Sequence, residues 1–310
     1  MTSAVVLAAG LATRLRPLSL VRAKAALPVG GVPLVVRILG QLAAAGVTDA
    51  VVNLHHLPAT LTRLLGDGTG LGLRVRYSWE PEVLGSAGGP RRALALLDGP
   101  RALLVNGDTL TDCPYADLEA EHARTGALVT VALVPNREPA KYGGVRLDTT
   151  GAFIGFVPAG SDTPSHHFIG VQLVESAAFA TLDDGVPASV HDLYRVLAFR
   201  EPGAVRGLVV DASFLDIGTP LDYWTTHWAL ATARDGAPEP GAPGSVGRAI
   251  LWDDVHLDAG AQVRDCIVTD GVRVPAGTWT DAILRQGVGP RLDGEEAREG
   301  LYVSRLGVPA

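Results

Sequence analysis

The first half of the sequence alternates between short apolar runs and segments with helical spacing. Ala4 to Ala9 is an apolar run that stops at Gly10, and similar runs follow at 50–54 and 102–105. A helical pattern begins at Pro33 and closes at Gly46, between the first two runs, and further helical patterns follow at 58–65 and 90–97. Strand–helix–strand units of this kind join parallel strands by crossovers. The alternation therefore predicts an α/β fold with a Rossmann-like, doubly wound, mainly parallel sheet.

After residue 127 the pattern changes to strand-like segments with few helices between them. We expect strands at 129–134, 143–147, 152–156 and 168–174, then a helix at 190–199, a strand at 205–210 and a helix at 220–233. This part predicts an antiparallel or mixed region laid over the carboxyl edge of the sheet.

A segment rich in Pro and Gly interrupts the chain at 236–245, which predicts a linker. We expect a nucleotide-handling domain at 1–235 and a β appendage at 246–310. In the appendage, apolar residues recur at intervals of about six, as in a hexapeptide-repeat β-helix: Val255, Leu257, Val263, Ile267, Val272 and Val274. One or two such coils would not be stable alone, so the appendage is expected to pack on the main domain or to form a homo-oligomer.

Composition excludes several classes of protein. The 33 acidic residues outnumber 26 basic ones, which argues against a nucleic-acid binder. Cys113 and Cys266 are too few for a disulfide framework, and no apolar run reaches the length of a membrane span. We expect a cytoplasmic protein that contacts neither nucleic acid nor membrane.

The basic residues are unevenly divided, since only Lys24 and Lys141 are lysines and the other basic residues are arginines. A lysine kept in such a chain is a candidate for a role that needs a compact ammonium. Lys24 lies among small apolar residues, which favours a contact with phosphate. For Lys141 an exposed loop position is an equally good interpretation.

The loop after the first apolar run has the features of an anion site. Ala8, Ala9 and Gly10 allow backbone N–H groups to approach a ligand closely, and Arg14 and Arg16 follow as cations. The loop is neither a Walker A motif nor Gly-x-Gly-x-x-Gly, which disfavours a kinase or ATPase and a dinucleotide enzyme.

Two carboxylates follow apolar strands, Asp108 in Asn-Gly-Asp and Asp216 after Phe214 and Leu215. Each alone fits a turn or helix start equally well. Together with nearby cations, two carboxylates are the residue types that Mg²⁺-dependent phosphoryl or nucleotidyl transfer uses.

Several ordered motifs resemble those of the sugar-1-phosphate nucleotidylyltransferases. Residues 7–29 read LAAGLATRLRPLSLVRAKAALPV, and LGSAG at 84–88, NGD at 106–108, YGG at 142–144 and LDIGTPLDY at 215–223 follow in the family's order. The mannose-1-phosphate guanylyltransferase and N-acetylmuramate-1-phosphate uridylyltransferase branches are the most similar.

The resemblance implies a role for each matching position. Leu7, Ala8, Ala9 and Gly10 would bind the nucleotide together with Gly85, Ser86, Ala87 and Gly88. Arg14 would meet the pyrophosphate, Lys24 the α-phosphate or sugar phosphate, and Tyr142 and Gly143 the sugar. Asp108 and Asp216 would share Mg²⁺. A sugar-1-phosphate would attack the α-phosphorus of an NTP and release pyrophosphate.

The sequence also departs from the family's pattern. Ala12 replaces a glycine, and alanines flank Lys24 in place of prolines. A family Glu-Lys pair falls near 156–159, where neither residue is present, and Phe168-Ile169-Gly170 replaces Asn-Ala-Gly. Lys141 or an arginine would then replace the missing lysine, and the acceptor would be an atypical sugar or cyclitol phosphate. The alternative is a non-catalytic, nucleotide-sugar-binding regulatory subunit.

Overall fold

The computed structural model describes residues 3–235 and 246–308, so the predicted linker at 236–245 lies outside the described residues. Its α-helices are α1 (Leu34–Ala44), α2 (Pro58–Leu65), α3 (Gly85–Leu94), α4 (Tyr115–Thr125), α5 (Val190–Arg200) and α6 (Pro220–Asp235). None of the helices within these two ranges is long and apolar enough to cross a membrane.

The strands up to α6 are β1 (Ser3–Leu7), β2 (Pro28–Val29), β3 (Val32–Pro33), β4 (Asp49–Leu54), β5 (Arg74–Trp79), β6 (Arg101–Asn106), β7 (Thr109–Thr111), β8 (Val129–Pro135), β9 (Gly144–Leu147), β10 (Phe153–Val157), β11 (His166–Glu175), β12 (Val205–Val209) and β13 (Phe214–Asp216). Those after it are β14 (Ala249–Leu251), β15 (His256–Leu257), β16 (Ala261–Val268), β17 (Arg273–Val274), β18 (Gly277–Gln286), β19 (Glu296–Arg298) and β20 (Leu301–Arg305).

Contacts divide the chain into two compact units. The first unit consists of Met1–Leu11 and Leu34–Leu215, and the second of Ala12–Pro33 and Asp216–Ala310. The arginine- and lysine-bearing segment 12–33 therefore groups with the carboxyl-terminal part of the chain. The division predicted from the sequence, at 235 and 246, differs from these units and stays a prediction.

The first unit is built on a mainly parallel central sheet, which confirms the predicted α/β class. Strands β6, β1, β4 and β5 are neighbours in that order and all run parallel. The residues of β1 and β4, and those of β6 between its ends, are almost wholly buried, as expected where helices cover both faces of a parallel sheet, whereas β5 is only partly buried. On the other side of β6 the sheet continues through β11, β9 and β10 with antiparallel pairing, and β8 joins β11 to β12. The mixed pairing predicted after residue 127 is present, but these strands extend the same sheet beyond β6, where the sequence predicted a region laid over its carboxyl edge.

Two helices differ from the sequence prediction. α3 begins at Gly85, five residues before the predicted start at Pro90. α4 was not predicted, because only Leu118 and His122 of its eleven residues are buried and the rest of the segment is polar.

The carboxyl-terminal part of the second unit is a β structure with two parallel layers. β14, β16 and β18 pair in parallel, and so do the short strands β15 and β17. Val263, Ile267, Val272 and Val274, predicted from their spacing, are at most 1% exposed. After β18 the chain turns back, because β20 and β19 pair antiparallel.

Candidate active site

The first unit brings two predicted loops to the same edge of its sheet. Leu7 at the end of β1 lies in register with Asn106 at the end of β6. Gly107 N–H donates to the carbonyl of Leu7 at 2.9 Å. Asp108 follows in the turn before β7, and its carboxylate accepts a hydrogen bond of 3.4 Å from the Thr109 hydroxyl. The loop that starts at Ala8 and the Asp108 carboxylate thus belong to one carboxyl edge, where open α/β sheets bind ligands.

A buried polar network connects the two predicted nucleotide-binding loops. Ala8 N–H donates to Asn53 Oδ1 at 2.6 Å, and Asn53 Nδ2 donates to Glu80 Oε1 at 2.7 Å. The other Glu80 oxygen accepts from Leu84 N–H at 2.9 Å, directly before Gly85. Glu80 is 1% exposed and Asn53 is 4% exposed, so these are interior positioning groups. Sequence reasoning missed both residues; the available signal was a polar Asn53 near the end of the otherwise apolar run in β4.

The small residues at 85–88 form the first turn of α3. Ala87 N–H donates to the carbonyl of Ala188 at 2.9 Å, and a Cβ on Gly88 would lie 2.6 Å from the carbonyl oxygen of Val186. The Ser86 hydroxyl accepts from Val190 N–H at 3.0 Å. Close packing on segment 186–190 thus accounts for Ala87 and Gly88. Nucleotide binding by Gly85, Ser86, Ala87 and Gly88 stays a prediction.

Tyr142 lines a polar cavity of about 270 Å³ in the first unit. Its ring lies 4.3 Å from the His167 ring and 5.7 Å from the Phe214 ring, measured between centroids. Lys141 Nζ lies 4.9 Å from the Tyr142 ring centroid. Glu138 also lines the cavity. The predicted sugar-binding tyrosine thus lies beside groups that can hydrogen-bond a polyol.

Gly143 lines a second, more apolar cavity of about 290 Å³. A Cβ at residue 143 would lie 2.9 Å from the carbonyl oxygen of Val157, so only glycine allows this approach. Phe156 lies in the same cavity and stacks on His191 with 4.0 Å between ring centroids. Of residues 156–159, near which the family pattern has a Glu-Lys pair, Phe156 and Val157 are therefore packed, whereas the other two residues are apolar but exposed.

In the second unit, the carbonyl of Ala12 stabilises the loop that carries Arg14 and Arg16. Ala12 adopts the left-handed conformation with φ 48° and ψ 47°, and its carbonyl accepts from Leu15 N–H at 3.0 Å and the Ser19 hydroxyl at 2.8 Å. Leu15 is buried and anchors the turn, whereas Arg14 on one side of it is exposed. The loop therefore presents Arg14 outward from a fixed turn.

Lys24 and Asp216 form an ion pair in the second unit, with 3.9 Å between Nζ and Oδ1. A Cβ placed on Gly218 would lie 3.5 Å from Asp216 Oδ2, 3.1 Å from Asp222 Oδ2 and 3.6 Å from Arg14 Nη2. Lys24 thus pairs with the Asp216 carboxylate, and Arg14 Nη2 lies beside the same glycine as that carboxylate. Sequence reasoning did not select Asp222, although it is part of the quoted motif.

Local helix chemistry places these carboxylates. Thr219 caps α6: Asp222 N–H donates to its hydroxyl at 3.1 Å, and the hydroxyl donates to Asp222 Oδ2 at 2.9 Å. Pro220 occupies the first helical position, where its missing N–H has no cost. The sequence Gly-Thr-Pro-x-Asp therefore begins α6 four residues after Asp216 and holds the Asp222 carboxylate at the helix start.

The two predicted metal ligands fall in different units, Asp108 in the first and Asp216 in the second. Within residues 3–235 and 246–308, no cluster of three or more His, Cys, Asp or Glu forms a metal cage. Magnesium is commonly held by one or two carboxylates together with substrate phosphates, so the donor chemistry of these aspartates fits that ion.

Neither cysteine has the properties of a nucleophile. Burial raises the pKa of the Cys113 thiol to about 12 and that of Cys266 to about 11. Both thiols therefore stay protonated near neutral pH, and a thiolate mechanism is excluded.

Comparison with known proteins relates this arrangement to a family. The chain is 30% identical over 289 residues to the mannose-1-phosphate guanylyltransferase of Mycobacterium tuberculosis, covering 92% of this chain and 80% of that protein. It is 43% identical over 113 residues to the N-acetylmuramate alpha-1-phosphate uridylyltransferase of Neisseria meningitidis, covering 36% of this chain and 49% of that protein.

A solved structure shares the fold. The crystal structure of HddC from Yersinia pseudotuberculosis, complexed with GMP-PN, superimposes with a TM-score of 0.64 at 21% identity, over 74% of this chain and 99% of that one. The nucleotidyl transferase family model matches residues 3–233, about three quarters of the sequence. The chain therefore belongs to the nucleotidyl transferase family.

Proposed function

We propose that this protein transfers a nucleoside monophosphate from an NTP to a sugar-1-phosphate and releases pyrophosphate. The observation that carries the proposal is the Lys24–Asp216 ion pair, with Arg14 Nη2 close to Gly218 in the same motif, within the motif order of the family. Two cations beside a carboxylate suit a site that neutralises phosphate charge while a metal ion is present. The transferase names of the relatives favour this function over the regulatory alternative.

The chain's own groups act by binding and orienting the reactants. The acceptor phosphate supplies its own nucleophilic oxygen, so the protein needs no covalent intermediate. Lys24 would hold the α-phosphate or the sugar phosphate, and Arg14 would stabilise the departing pyrophosphate. The Ala8–Gly10 backbone would hold the nucleotide, because the buried Asn53–Glu80 network fixes that loop. Catalysis would then come from alignment and charge neutralisation.

We propose Mg²⁺ as the cofactor, held by Asp108 and Asp216, with Asp222 as an additional carboxylate close to Asp216. When bound, the ion would neutralise phosphate charge and orient the phosphate oxygens. Lys24 then has a second use, because its ammonium offsets the negative charge of Asp216 when the ion is absent.

The acceptor is proposed to occupy the polar cavity beside Tyr142. Glu138 and Asp211 line this cavity and could accept hydrogen bonds from sugar hydroxyls. They would serve in place of the family's carboxylate near 156–159, because Phe156 there packs on His191. A sugar or cyclitol phosphate with an unusual hydroxyl pattern is the acceptor class that follows.

The parallel strands β14, β16 and β18, with β15 and β17, support an interpretation of 246–286 as a short β-helix of about two coils. Self-association through the carboxyl-terminal segment stays a prediction.

A pyrophosphate-release screen tests the proposal directly. Four NTPs and dTTP are crossed with a panel of sugar-1-phosphates and cyclitol phosphates, with and without Mg²⁺. We expect metal-dependent release for at least one pair, which would also identify the base and the acceptor. Nucleotide-sugar binding without release under any condition would instead support the regulatory alternative.

Matched variants connect that activity to the site. Asp216→Asn and Asp108→Asn should each abolish Mg²⁺-dependent release while the circular dichroism spectrum is retained. Asp117→Asn is the control, because Asp117 is an exposed carboxylate on α4. Full activity in Asp216→Asn would refute its assignment as a metal ligand.

A further inference from the structure

Arg22 is a buried arginine whose charge is matched by two carboxylates from the carboxyl-terminal β segment, residues 246–308. Its Nε donates to Asp270 Oδ2 at 2.8 Å, and its Nη2 donates to Asp270 Oδ1 at 2.5 Å and to Asp253 Oδ2 at 2.6 Å. The guanidinium also lies 5.1 Å from the centre of the Trp252 ring. Arg22 is 7% exposed, whereas the side chains of Asp270 and Asp253 are 33% and 79% exposed, so a buried guanidinium meets two carboxylates that reach the surface.

Further contacts connect Trp252 of this cluster to Pro28, which follows the turn that carries Lys24. Trp252 Nε1 donates to the Tyr223 hydroxyl at 3.0 Å, and that hydroxyl donates to the carbonyl of Pro28 at 2.7 Å. Tyr223 on α6 is fully buried. Arg22 and Pro28 are therefore both anchored, one by the β segment directly and one through Trp252 and Tyr223.

Lys24 lies between these two anchors. It begins a short 3-10 turn, Lys24–Ala26. The residues on either side of the lysine, Ala23 and Ala25, are small and buried. These flanking alanines give the backbone little intrinsic rigidity, unlike prolines. The position of the Lys24 ammonium against Asp216 thus depends on what fixes the two ends of the turn.

We propose that Arg22 is a positioning residue, which Asp253 and Asp270 hold in place so that Lys24 is fixed against Asp216. The carboxyl-terminal β segment is then part of the phosphate-binding machinery of this chain. The inference rests on the proposed function for the role of Lys24, but its geometric part can be tested without any enzymatic activity.

The competing explanation is that the cluster only stabilises the fold. A buried ion pair is weak evidence for stability, because desolvation of the charges offsets much of their attraction. A bidentate pair with a second carboxylate does, however, fix the orientation of the guanidinium. If the cluster only stabilises the fold, a variant that remains folded should keep wild-type kcat, whereas loss of positioning should lower it. The tests are therefore made at temperatures where each variant is fully folded by circular dichroism.

The first test measures kcat and KM for pyrophosphate release. Asp270→Asn and Arg22→Lys remove the bidentate geometry while keeping side-chain size or charge. We expect kcat to fall about 10- to 100-fold in each, as for a misplaced catalytic group. Wild-type kcat in both folded variants would overturn the proposal.

A double-variant cycle shows whether the effect passes through Lys24. If Arg22 acts by positioning Lys24, adding Asp270→Asn to Lys24→Met should cause no further loss of kcat. Two independent effects would multiply instead, and that result would contradict the proposal.

The second test reads the position of Lys24 without catalysis. Because the chain has only two lysines, reductive methylation followed by mass spectrometry reports Lys24, with Lys141 as an internal reference. We expect Asp270→Asn to increase the methylation rate of Lys24 severalfold and to leave Lys141 unchanged. An unchanged Lys24 rate would overturn the inference, whereas an inactive wild-type enzyme would overturn only the proposed function.

Asp258→Asn is the matched control for both tests. Asp258 pairs with Arg273 at 2.7 Å in the same β segment, but the Arg273 side chain is 71% exposed. We expect this variant to keep wild-type kcat and wild-type Lys24 methylation. A loss equal to that of Asp270→Asn would mean that any change in the segment disturbs the site, and would overturn a specific role for Arg22.

Discussion

The left-handed backbone at Ala12 is the clearest sign of strain in the arginine-bearing loop. Ala12 has φ 48° at the position where the family pattern has a glycine, and this conformation costs about 1–2 kcal/mol for an L-residue. Ala12→Gly relieves that strain but adds freedom to the unfolded chain, so we expect a change within about 0.5 kcal/mol. Ala12→Val should lower the free energy of unfolding by about 1–2 kcal/mol. Urea titration measures both, and a fully stable valine variant would show that the loop relaxes elsewhere.

At Lys24 the effect of positive charge can be tested separately from the effect of side-chain shape. Lys24→Arg keeps the positive charge, but a planar guanidinium cannot occupy a site shaped for an ammonium 3.9 Å from Asp216. We expect kcat/KM for pyrophosphate release to fall about 100-fold, as for loss of one stabilising group at the transition state. Thermal melting serves as the check on folding. Wild-type kcat/KM would remove the argument from the scarcity of lysine.

At the scale of elements, apolar periodicity predicted the strands and helices whose buried residues form a regular pattern, and it missed those whose buried residues do not. The buried strands β1, β4 and β6 and the helix α2 follow continuous or periodic apolar patterns, and the sequence placed them within one or two residues. α4 has only two buried side chains, so its helical face carries almost no pattern. The early start of α3 was missed because Gly85, Gly88 and Gly89 disfavour a helix locally, and close packing on Ala188 outweighs that preference.

The buried histidine of α4 predicts a pH dependence of stability. Burial lowers the pKa of His122 below its ordinary value of 6.5, although a hydrogen bond to Glu175 opposes the shift. As the pH falls through about 6.5, the unfolded chain binds a proton that the folded chain does not, so the free energy of unfolding decreases. We expect a slope of at most about 1.4 kcal/mol per pH unit, absent in His122→Gln. Chemical denaturation at several pH values measures it, and parallel profiles would contradict the assignment.

At the scale of the whole molecule, sequence reasoning selected residues that are proposed to contact the substrates and missed residues that hold the loops in place. Arg14, Lys24 and Asp216 belong to ordered motifs and converge in the second unit. Asn53, Glu80 and Arg22 act through contacts with residues far away in sequence, such as Arg22 with Asp270, 248 positions later. Such long-range polar contacts leave no local pattern, which is why a single sequence could not predict them.

Segment 12–33 and the carboxyl-terminal β structure belong to one compact unit, so we expect them to unfold together. Arg285 and Glu295 form a buried bidentate pair, with hydrogen bonds of 2.6 and 2.5 Å, that closes the loop after β18. Burial would raise the pKa of Glu295, but its bonds to Arg285 outweigh this and lower it. Glu295→Gln removes the charge and leaves Arg285 buried without a full partner. We therefore expect the second unit to lose about 3 kcal/mol of stability.

Hydrogen exchange with mass spectrometry shows how far that loss extends. In Glu295→Gln, amides of β18 should exchange about 100-fold faster, and those of residues 18–29 should accelerate with them, because Arg22 connects both to one cooperative unit. Amides of β4, in the first unit, should keep their rates. Glu296→Gln is the control, since Glu296 is the exposed neighbour of Glu295. Unchanged exchange at 18–29 beside accelerated exchange in β18 would contradict the grouping, because a segment anchored to the β structure must lose protection when that structure opens.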